Sequence, residues 1–266
     1  MSEAVAGPPE RLVRELVDGP SLVRAVDWHP TTPSTNVLAA DAAPDGAPEG
    51  HLVLADHQSA GRGRLGRAWR APPGTSLLLS VVLRPTVPPG RLASLPLLAG
   101  VCLAEACERL RGGAPPVRLK WPNDLLLGGR KAAGLLAERL AGGAVVLGVG
   151  VDVDWRRVGR PPELAAATSL AEAARAPVDR WEVLATLVGA LDRRYGAWQA
   201  APESFMDDYR ARCATLGQPV RVRRLAAPPL QGRAVDLGRD GALVVRTPDG
   251  STEAVAAGDV EHVTAP

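Results

Sequence analysis

The sequence predicts a large domain of mixed strands and helices followed by a small all-β unit. Up to about residue 215, apolar strand-like runs alternate with helical patterns, of which Leu92–Arg111 is the longest and is apolar on most faces. From Gly217 the pattern changes to short alternating runs separated by glycine turns. A chain of 266 residues has room for both units. We therefore expect an arm at residues 1–20, a main domain at 21–215 and a compact barrel at 216–266.

The composition narrows the class of protein. With 46% apolar and 23% charged residues, the chain is an ordinary globular one and not a disordered one. Its 31 basic residues nearly balance its 29 acidic residues, which argues against a nucleic-acid-binding protein. We find no apolar run long enough for a membrane span and no secretory signal. Three cysteines without a CxxC pair and only four histidines argue against a zinc site. These features predict a cytoplasmic protein without a membrane partner.

Each element of the main domain follows from a local pattern. Ser34 or Thr35 can cap a helix, apolar runs bounded by turn residues predict strands, and Gly128–Gly129 predicts a hairpin. The predicted strands are Leu22–Trp28, His51–Asp56, Thr75–Leu83, Val117–Trp121, Asp124–Leu127, Lys131–Arg139 and Ala144–Val153. The predicted helices run from residue 34 or 35 to about Ala43, and over Leu92–Arg111, Ser169–Ala174, Arg180–Gln199 and Glu203–Cys213. The all-β unit has predicted strands at Pro219–Arg223, Gln231–Leu237, Ala242–Thr247 and Thr252–Ala256.

The segment Gln58–Trp69 is rich in glycine and arginine. Its three glycines allow the backbone to approach a ligand closely. Arg62, Arg64 and Arg67 add forked donors that suit carboxylates and phosphates. The pattern is neither a dinucleotide fingerprint nor a P-loop. From these residues alone the segment is an anion site, a flexible solvated loop or a nucleic-acid-binding segment.

Only two of the 31 basic residues are lysines, Lys120 and Lys131. A codon bias explains the overall excess of arginine, but the two retained lysines suggest a local need for a compact ammonium group. In Lys120-Trp-Pro-Asn-Asp124 the lysine ends a short strand, and Asn123 and Asp124 add an amide and a carboxylate. The alternative is a plain turn in which Trp121 packs and the aspartate bonds to the backbone.

Two glycine-bearing strands complete the pattern. Gly134 lies in a strand of small residues, where a ligand ring could lie against the backbone or where the sheet simply packs closely. The run Gly148-Val-Gly-Val-Asp152 places an acidic side chain just after a second such strand.

These four segments, together with Ser34-Thr35-Asn36 and in this order, resemble the biotin protein ligases (biotin–[acetyl-CoA-carboxylase] ligases) over roughly residues 22–264. The glycine–arginine segment and Lys-Trp-Pro-Asn-Asp are the specific motifs. The resemblance implies an α+β catalytic domain like the class II aminoacyl-tRNA synthetase core, with a mixed sheet and helices on one side, and an SH3-like β-barrel after it. Because only about 20 residues precede the first strand, we expect a monofunctional form without a DNA-binding domain.

The resemblance also implies a two-step reaction. The biotin carboxylate attacks the α-phosphate of ATP, with Mg²⁺, to give biotinyl-5′-adenylate and pyrophosphate. A lysine of a biotin carboxyl carrier protein domain then takes the biotinyl group, and AMP leaves. The implied partner is therefore that carrier domain and not a nucleic acid, and the chain is expected to be a monomer or a homodimer.

Site residues follow from the same resemblance, motif by motif. The expected biotin contacts are Ser34, Thr35, Asn36, Gln58, Gly61, Arg62, Gly63, Arg64, Lys120 and Gly134. The expected ATP or adenylate contacts are Arg62, Arg64, Trp69, Asn123, Lys131 and Asp152. Catalysis is expected to depend on Lys120, Arg62 and Arg64, and Asp124 and Asp152 are the candidate Mg²⁺ ligands. Asp152 departs from the family, which usually has asparagine there, and a carboxylate beside phosphates would repel them unless it binds Mg²⁺.

Overall fold

The computed structural model describes residues 7–110, 115–224 and 227–263. Its helices are α1 Glu10–Asp18, α2 Thr35–Ala42, α3 Leu95–Leu110, α4 Leu170–Ala174, α5 Arg180–Ala200 and α6 Met206–Arg212. The strands of the main domain are β1 Ala25–Thr32, β2 His51–Gln58, β3 Ser76–Leu83, β4 Val117–Lys120, β5 Asp124–Leu127, β6 Arg130–Arg139 and β7 Val145–Asp152. Five further strands follow: β8 Pro219–Arg223, β9 Leu230–Leu237, β10 Leu243–Arg246, β11 Thr252–Val255 and β12 Asp259–His262.

The strands form two sheets. The first has seven strands in the order β1-β2-β3-β7-β6-β5-β4. It is mixed, because β1 and β2 are parallel and the other neighbours are antiparallel. The second is antiparallel with the order β11-β10-β9-β8-β12, so its last strand lies beside its first. The prediction of a mixed α+β domain followed by a small antiparallel β unit is confirmed; the four-residue strand β12 was not predicted.

Helices cover both faces of the large sheet, so the expectation of helices on one side was wrong. The main core joins one face to α3 and α5, and Leu52 of β2 and Leu147 of β7 belong to it. A smaller cluster joins the other face to α2 through Ala39, Val53 and Val146. Side chains of a strand alternate between faces, and these strands are apolar at both sets of positions, so each face needs a covering layer.

Helix α3 lies in the core and is nearly surrounded by protein. It begins at Leu95, after a 3-10 turn at Pro89–Ser94, and so three residues later than predicted. Its predicted end at Arg111 lies outside the described residues. The stretch Pro89–Leu110 is long and apolar enough to cross a membrane, but 67% of its most apolar window is buried inside the protein, as expected for a core helix.

The sequence predicts a loose arm with one short helical stretch at residues 1–20; in its described part, residues 7–20, the helix is present and is packed against the domain. Helix α1 forms at Glu10–Asp18, and its Leu16 is buried in the main core. Just after it, the amide of Leu22 donates to Asp192 of α5 at 2.5 Å. An apolar side chain on one face of this short helix is what attaches it to the domain.

Candidate functional site

A cavity of about 110 Å³ opens on the face of the sheet that carries α2. Small residues make room for it. On β7, Leu147 lies in the main core, whereas Gly148 and Gly150, whose positions alternate with those of Leu147 and Val149, line the cavity. Gly134 of β6 pairs with Gly150 and lines it as well. The alternation of large and small residues therefore places the core on one face and the cavity on the other.

Most of the predicted site residues meet at this cavity. Those that line it are Ser34, Thr35, Asn36, Gln58, Arg62, Gly63, Arg64, Trp69, Asn123, Asp124, Lys131 and Gly134. Three others, Gly61, Lys120 and Asp152, lie outside its lining.

The floor of the cavity is a buried hydrogen-bond network at the start of α2. Gln58 Oε1 accepts from the Thr35 amide at 2.7 Å and from its hydroxyl at 3.1 Å. Ser80 of β3 lies 2.8 Å from the Thr35 hydroxyl and donates to Asn36 Oδ1 at 2.6 Å. Asn36 is only 5% exposed, and a Cβ on Gly148 would lie 2.0 Å from its Oδ1. These polar groups are fixed in place and can select a polar ligand in an otherwise apolar pocket.

The glycine–arginine loop closes on itself above the cavity. The Trp69 amide donates to the Gly61 carbonyl at 2.9 Å, and the Gly63 amide donates to the Arg67 carbonyl at 2.7 Å. A Cβ on Gly61 would lie 2.5 Å from the Trp69 carbonyl oxygen, so this position admits only glycine without rearrangement. Leu65 at the tip has a φ of 56° and is exposed. The loop is thus held at its base and strained at its tip.

Each arginine of the loop contacts a different element. Arg62 Nη2 lies 3.0 Å from Glu138 Oε1 on β6. Arg64 Nη1 donates at 3.3 Å to Asn123 and, at the same distance, to the carbonyl of Gly258, which lies in the C-terminal unit. Arg67 forms an ion pair with Asp259 on β12. The loop is therefore fixed by both units of the chain.

Burial and charge shift the pKa values of these groups. Burial lowers the pKa of the Arg64 guanidinium, although Asp259 and Asp124 oppose the shift. A hydrogen bond from Arg67 lowers the pKa of the Asp259 carboxyl. Arginine stays charged in proteins, so three guanidiniums border the cavity and make it attractive to anions.

Trp69 lies flat against the two glycine strands. A Cβ on Gly150 would lie 2.5 Å from its ring, and one on Gly134 would lie 2.9 Å from it. Lys131 Nζ stands 5.6 Å from the ring centre and 2.7 Å from Asp124 Oδ1. The indole N–H is buried without a hydrogen-bond partner in the described part of the chain. The sequence left open whether Gly134 makes room for a ligand ring or for close packing of the sheet; in the structure the indole of Trp69 lies against it.

Asp152 borders a second cavity, of about 300 Å³, on the other side of Trp69. The carboxyl is 3% exposed and accepts from the Ser76 hydroxyl at 3.2 Å. Burial raises its pKa to about 7, against the opposing effects of that hydrogen bond and of Lys131. The protonated form of this carboxyl is neutral and close to asparagine in shape.

Lys120 ends β4 at the border with the C-terminal unit. It is half-buried, and its charge contributes to lowering the pKa of Asp259 and of His262, both on β12. The His262 ring lies 3.3 Å from the Thr215 hydroxyl, which also accepts from the Trp121 amide at 3.0 Å. The lysine therefore lies close to β12 of the C-terminal unit, whose Asp259 lines the cavity.

The surroundings of both candidate Mg²⁺ ligands, Asp124 and Asp152, reduce their negative charge. Asp124 is neutralised by Lys131, and Asp152, with its pKa raised to about 7, is about half protonated at neutral pH. The described residues contain no group of three or more His, Cys, Asp or Glu side chains that could hold a metal ion. Mg²⁺ is commonly held by one or two carboxylates together with water and oxygen atoms of a bound ligand, so these two side chains would need such further ligands.

Several site residues were missed from the sequence. Ser80 and Glu138 join the buried network from strands far away in the sequence, and Asp259 comes from a strand that was not predicted. Ser80 was detectable from the sequence. It interrupts the apolar run Ser-Leu-Leu-Leu-Ser-Val-Val-Leu of β3, at a position that alternates along the strand with Leu77 and Leu79. Glu138 and Asp259 could be identified only from the tertiary structure.

Fold and site together define the class of protein. The model of the Biotin/lipoate A/B protein ligase family matches residues 28–154, and that of the Biotin protein ligase C terminal domain matches residues 215–263. A Biotin--[acetyl-CoA-carboxylase] ligase of Mycobacterium tuberculosis is 38% identical to this chain. The alignment covers 97% of that protein and 96% of this chain. The chain belongs to the biotin protein ligase family.

Two further relatives agree with this assignment. The Bifunctional ligase/repressor BirA of Bacillus subtilis is 32% identical over 88% of this chain and 73% of its own length. The solved biotin protein ligase from Aquifex aeolicus in complex with biotin and ATP has a TM-score of 0.79 and 27% identity, over 90% of this chain and all of that one. Their similarity thus spans both units of the fold.

Proposed function

We propose that this chain is a biotin–protein ligase that first activates biotin with ATP and then transfers it to a lysine of a biotin carboxyl carrier protein domain. One observation carries the proposal. A cavity with a buried polar floor lies directly beneath three arginines and beside a half-buried aromatic ring. A small polar ring system, a carboxylate and a nucleotide are the three ligand parts that this arrangement suits. The comparisons support it, because two relatives named Biotin--[acetyl-CoA-carboxylase] ligase match 96% and 82% of this chain.

The floor network is assigned to the ring system of biotin. Thr35, Asn36 and Gln58 provide donors and acceptors that are already held by neighbours, so little reorganisation is needed on binding. Leu79 and Leu135 add apolar lining beside them. A ureido group matched by fixed hydrogen bonds in such a pocket is bound without leaving buried polar groups unpaired.

The charged rim is assigned to the reacting groups. In the first step, a biotin carboxylate oxygen bonds to the α-phosphorus of ATP and pyrophosphate leaves. Arg62 and Arg64 lie where they can hold the carboxylate and the α-phosphate, and Lys120 can add a compact positive charge from the side of β12. Charge stabilisation and orientation suffice for this step, because the substrate carboxylate is itself the nucleophile.

Trp69 and the cavities on its two sides are assigned to the nucleotide. The ring offers a face for stacking a base, with Lys131, Asn123 and Asp152 around it. We assign Mg²⁺ to the triphosphate of the substrate ATP and not to a site built by the protein, because the two candidate carboxylates are neutralised or in part protonated. Bound in that way, the ion neutralises phosphate charge.

In the second step the acceptor lysine amine attacks the carbonyl carbon of the mixed anhydride, an amide forms, and AMP leaves. The region beside Lys120 and the C-terminal unit is the approach that we assign to the acceptor. The binding-module alternative, a nucleic-acid-binding segment, is not favoured. Arg62 and Arg67 already pair with carboxylates, and Arg64 donates to an amide and a carbonyl, so the loop is not an open basic surface.

The test is a transfer assay. Purified protein is mixed with labelled biotin, ATP, Mg²⁺ and a carrier domain, and label on the carrier lysine is measured. We expect transfer that requires both ATP and Mg²⁺, and adenylate accumulation without the carrier. Transfer of lipoate in place of biotin, or salt-sensitive RNA binding without any transfer, would contradict the proposal.

A further inference from the structure

Glu138 touches two residues on which the proposed function depends, although it does not line the cavity itself. It lies near the end of β6, on the same face as Gly134. One carboxylate oxygen accepts from Asn36 Nδ2 at 2.7 Å, and the other lies 3.0 Å from Arg62 Nη2. A single side chain therefore joins helix α2 to the glycine–arginine loop.

The contact with Asn36 fixes a buried amide. Asn36 Oδ1 accepts from Ser80, so its Nδ2 is the end that faces Glu138. Gly148 lets this amide lie directly on β7, since a Cβ there would be 2.0 Å from the oxygen. Without the Glu138 acceptor, a buried N–H group would lose its partner, which costs far more than the loss of an exposed hydrogen bond.

The contact with Glu138 restricts the side chain of Arg62. Arg62 lies between two glycines of the loop, and its side chain is 51% exposed, against 27% for Glu138. An arginine in such a segment has many conformations of similar energy. The carboxylate favours those that keep the guanidinium over the cavity, and a half-exposed ion pair provides this at a modest strength.

We propose that Glu138 is a positioning residue for biotin and its adenylate, acting on biotin through the amide of Asn36 and on the acyl phosphate through the charge of Arg62. The inference rests on the proposed function. It separates two effects: the hydrogen bond to Asn36 sets the affinity for biotin, and the ion pair with Arg62 sets how long the adenylate stays bound.

Two variants separate the effects. Glu138→Gln keeps an acceptor for Asn36 but removes the charge, so biotin affinity should stay within about twofold while the adenylate dissociates up to about fivefold faster. Glu138→Ala removes both contacts, so biotin affinity should fall by at least about fivefold as well. Glu203→Gln, at an exposed position on the surface, is the matched control and should change neither quantity. Biotin affinity is measured by calorimetry, and adenylate release by a chase with unlabelled biotin.

A second comparison tests the route through Arg62. In an Arg62→Ala background, adding Glu138→Gln should change adenylate release no further, because the ion pair is already absent. Equal effects of Glu138→Gln in both backgrounds, or wild-type behaviour of Glu138→Ala, would overturn the inference while leaving the ligase activity in place. A fall in Tm of Glu138→Gln that accounts for its faster release would also overturn it. A wild-type chain that binds no biotin would instead overturn the proposed function, and the inference with it.

Discussion

The two faces of the central sheet are built by the same strands but carry different side chains. Toward α3 and α5, the strands present large apolar residues such as Leu77, Val81 and Leu147, all in the main core. Toward α2, the same strands present Ser80 and Gly148, which surround the candidate site. One face carries the main core, and the other carries the candidate site. Neighbouring residues of one strand should therefore differ in the kind of damage that a substitution causes.

The pair Leu147 and Gly148 gives the largest contrast. Leu147→Ala leaves a hole in the main core and should reduce the free energy of unfolding by about 2–5 kcal/mol, with little change in biotin affinity of the folded protein. Gly148→Ala places a Cβ 2.0 Å from Asn36 Oδ1, so the amide must move. A displacement of this size at a binding group should reduce adenylate formation about a hundredfold. Urea unfolding and single-turnover adenylate formation measure the two effects.

Each variant of this pair controls for the other. If Leu147→Ala impaired adenylate formation as strongly as Gly148→Ala at a temperature where both are folded, the two faces would not be separate in function. If Gly148→Ala formed adenylate at the wild-type rate, the buried network around Asn36 would not be the biotin site.

Asp152 lies on the site face of the sheet, and its ionisation makes the free energy of unfolding depend on pH. Its pKa is about 7 when folded and near 3.9 when unfolded. Below about pH 4 the carboxyl is protonated in both states and has no effect. As the pH rises to about 7, the unfolded state gains stability from ionising while the folded state does not, so the protein is destabilised relative to Asp152→Asn. The difference should grow over this window, on the order of 4 kcal/mol at most.

Urea unfolding of both proteins from pH 4.5 to 8 tests this expectation. Asp154→Asn is the matched control, because its carboxyl pairs with Arg156 and its pKa is lowered, so its removal should change stability in the opposite sense at neutral pH. A difference between wild type and Asp152→Asn that does not change with pH would show that Asp152 is ionised throughout.

Much of the site was predictable because its signals are local. The loop Gln58–Trp69 and the alternation in Gly148-Val-Gly-Val-Asp152 identified themselves by residue type and spacing. The contacts between distant segments that complete the site were not predictable in this way. Glu138 meets a residue 102 positions away, and Asp259 meets Arg67 across the two units of the chain. Such contacts depend on strand order and register, which local patterns do not specify. The second covering layer by α2 was missed for the same reason.

Substitution of Lys120 tests whether a residue outside the cavity lining takes part in the reaction. If its ammonium reaches between a carboxylate and a phosphate during the reaction, the broader guanidinium of Lys120→Arg would displace one of them. The loss of one such contact costs about 3 kcal/mol, so adenylate should form about a hundred times more slowly, with normal folding. Lys131→Arg is the comparison, since Lys131 pairs with Asp124 and should lose less. A near-wild-type rate for Lys120→Arg would leave codon bias as the explanation for that lysine.

The smallest expected effect concerns the contact between the site face and the C-terminal unit. Asp259→Asn removes the ion pair that joins β12 to Arg67 of the loop. The arginine is more than half exposed, so the pair is worth at most about 1 kcal/mol. Adenylate release should therefore quicken by up to about fivefold, with unchanged Tm. Glu253→Gln is the control, because Glu253 lies in the same sheet, on β11, and pairs with Arg224. Equal release from the two variants would show that β12 covers the loop without holding it, and the site would then depend on the central sheet alone.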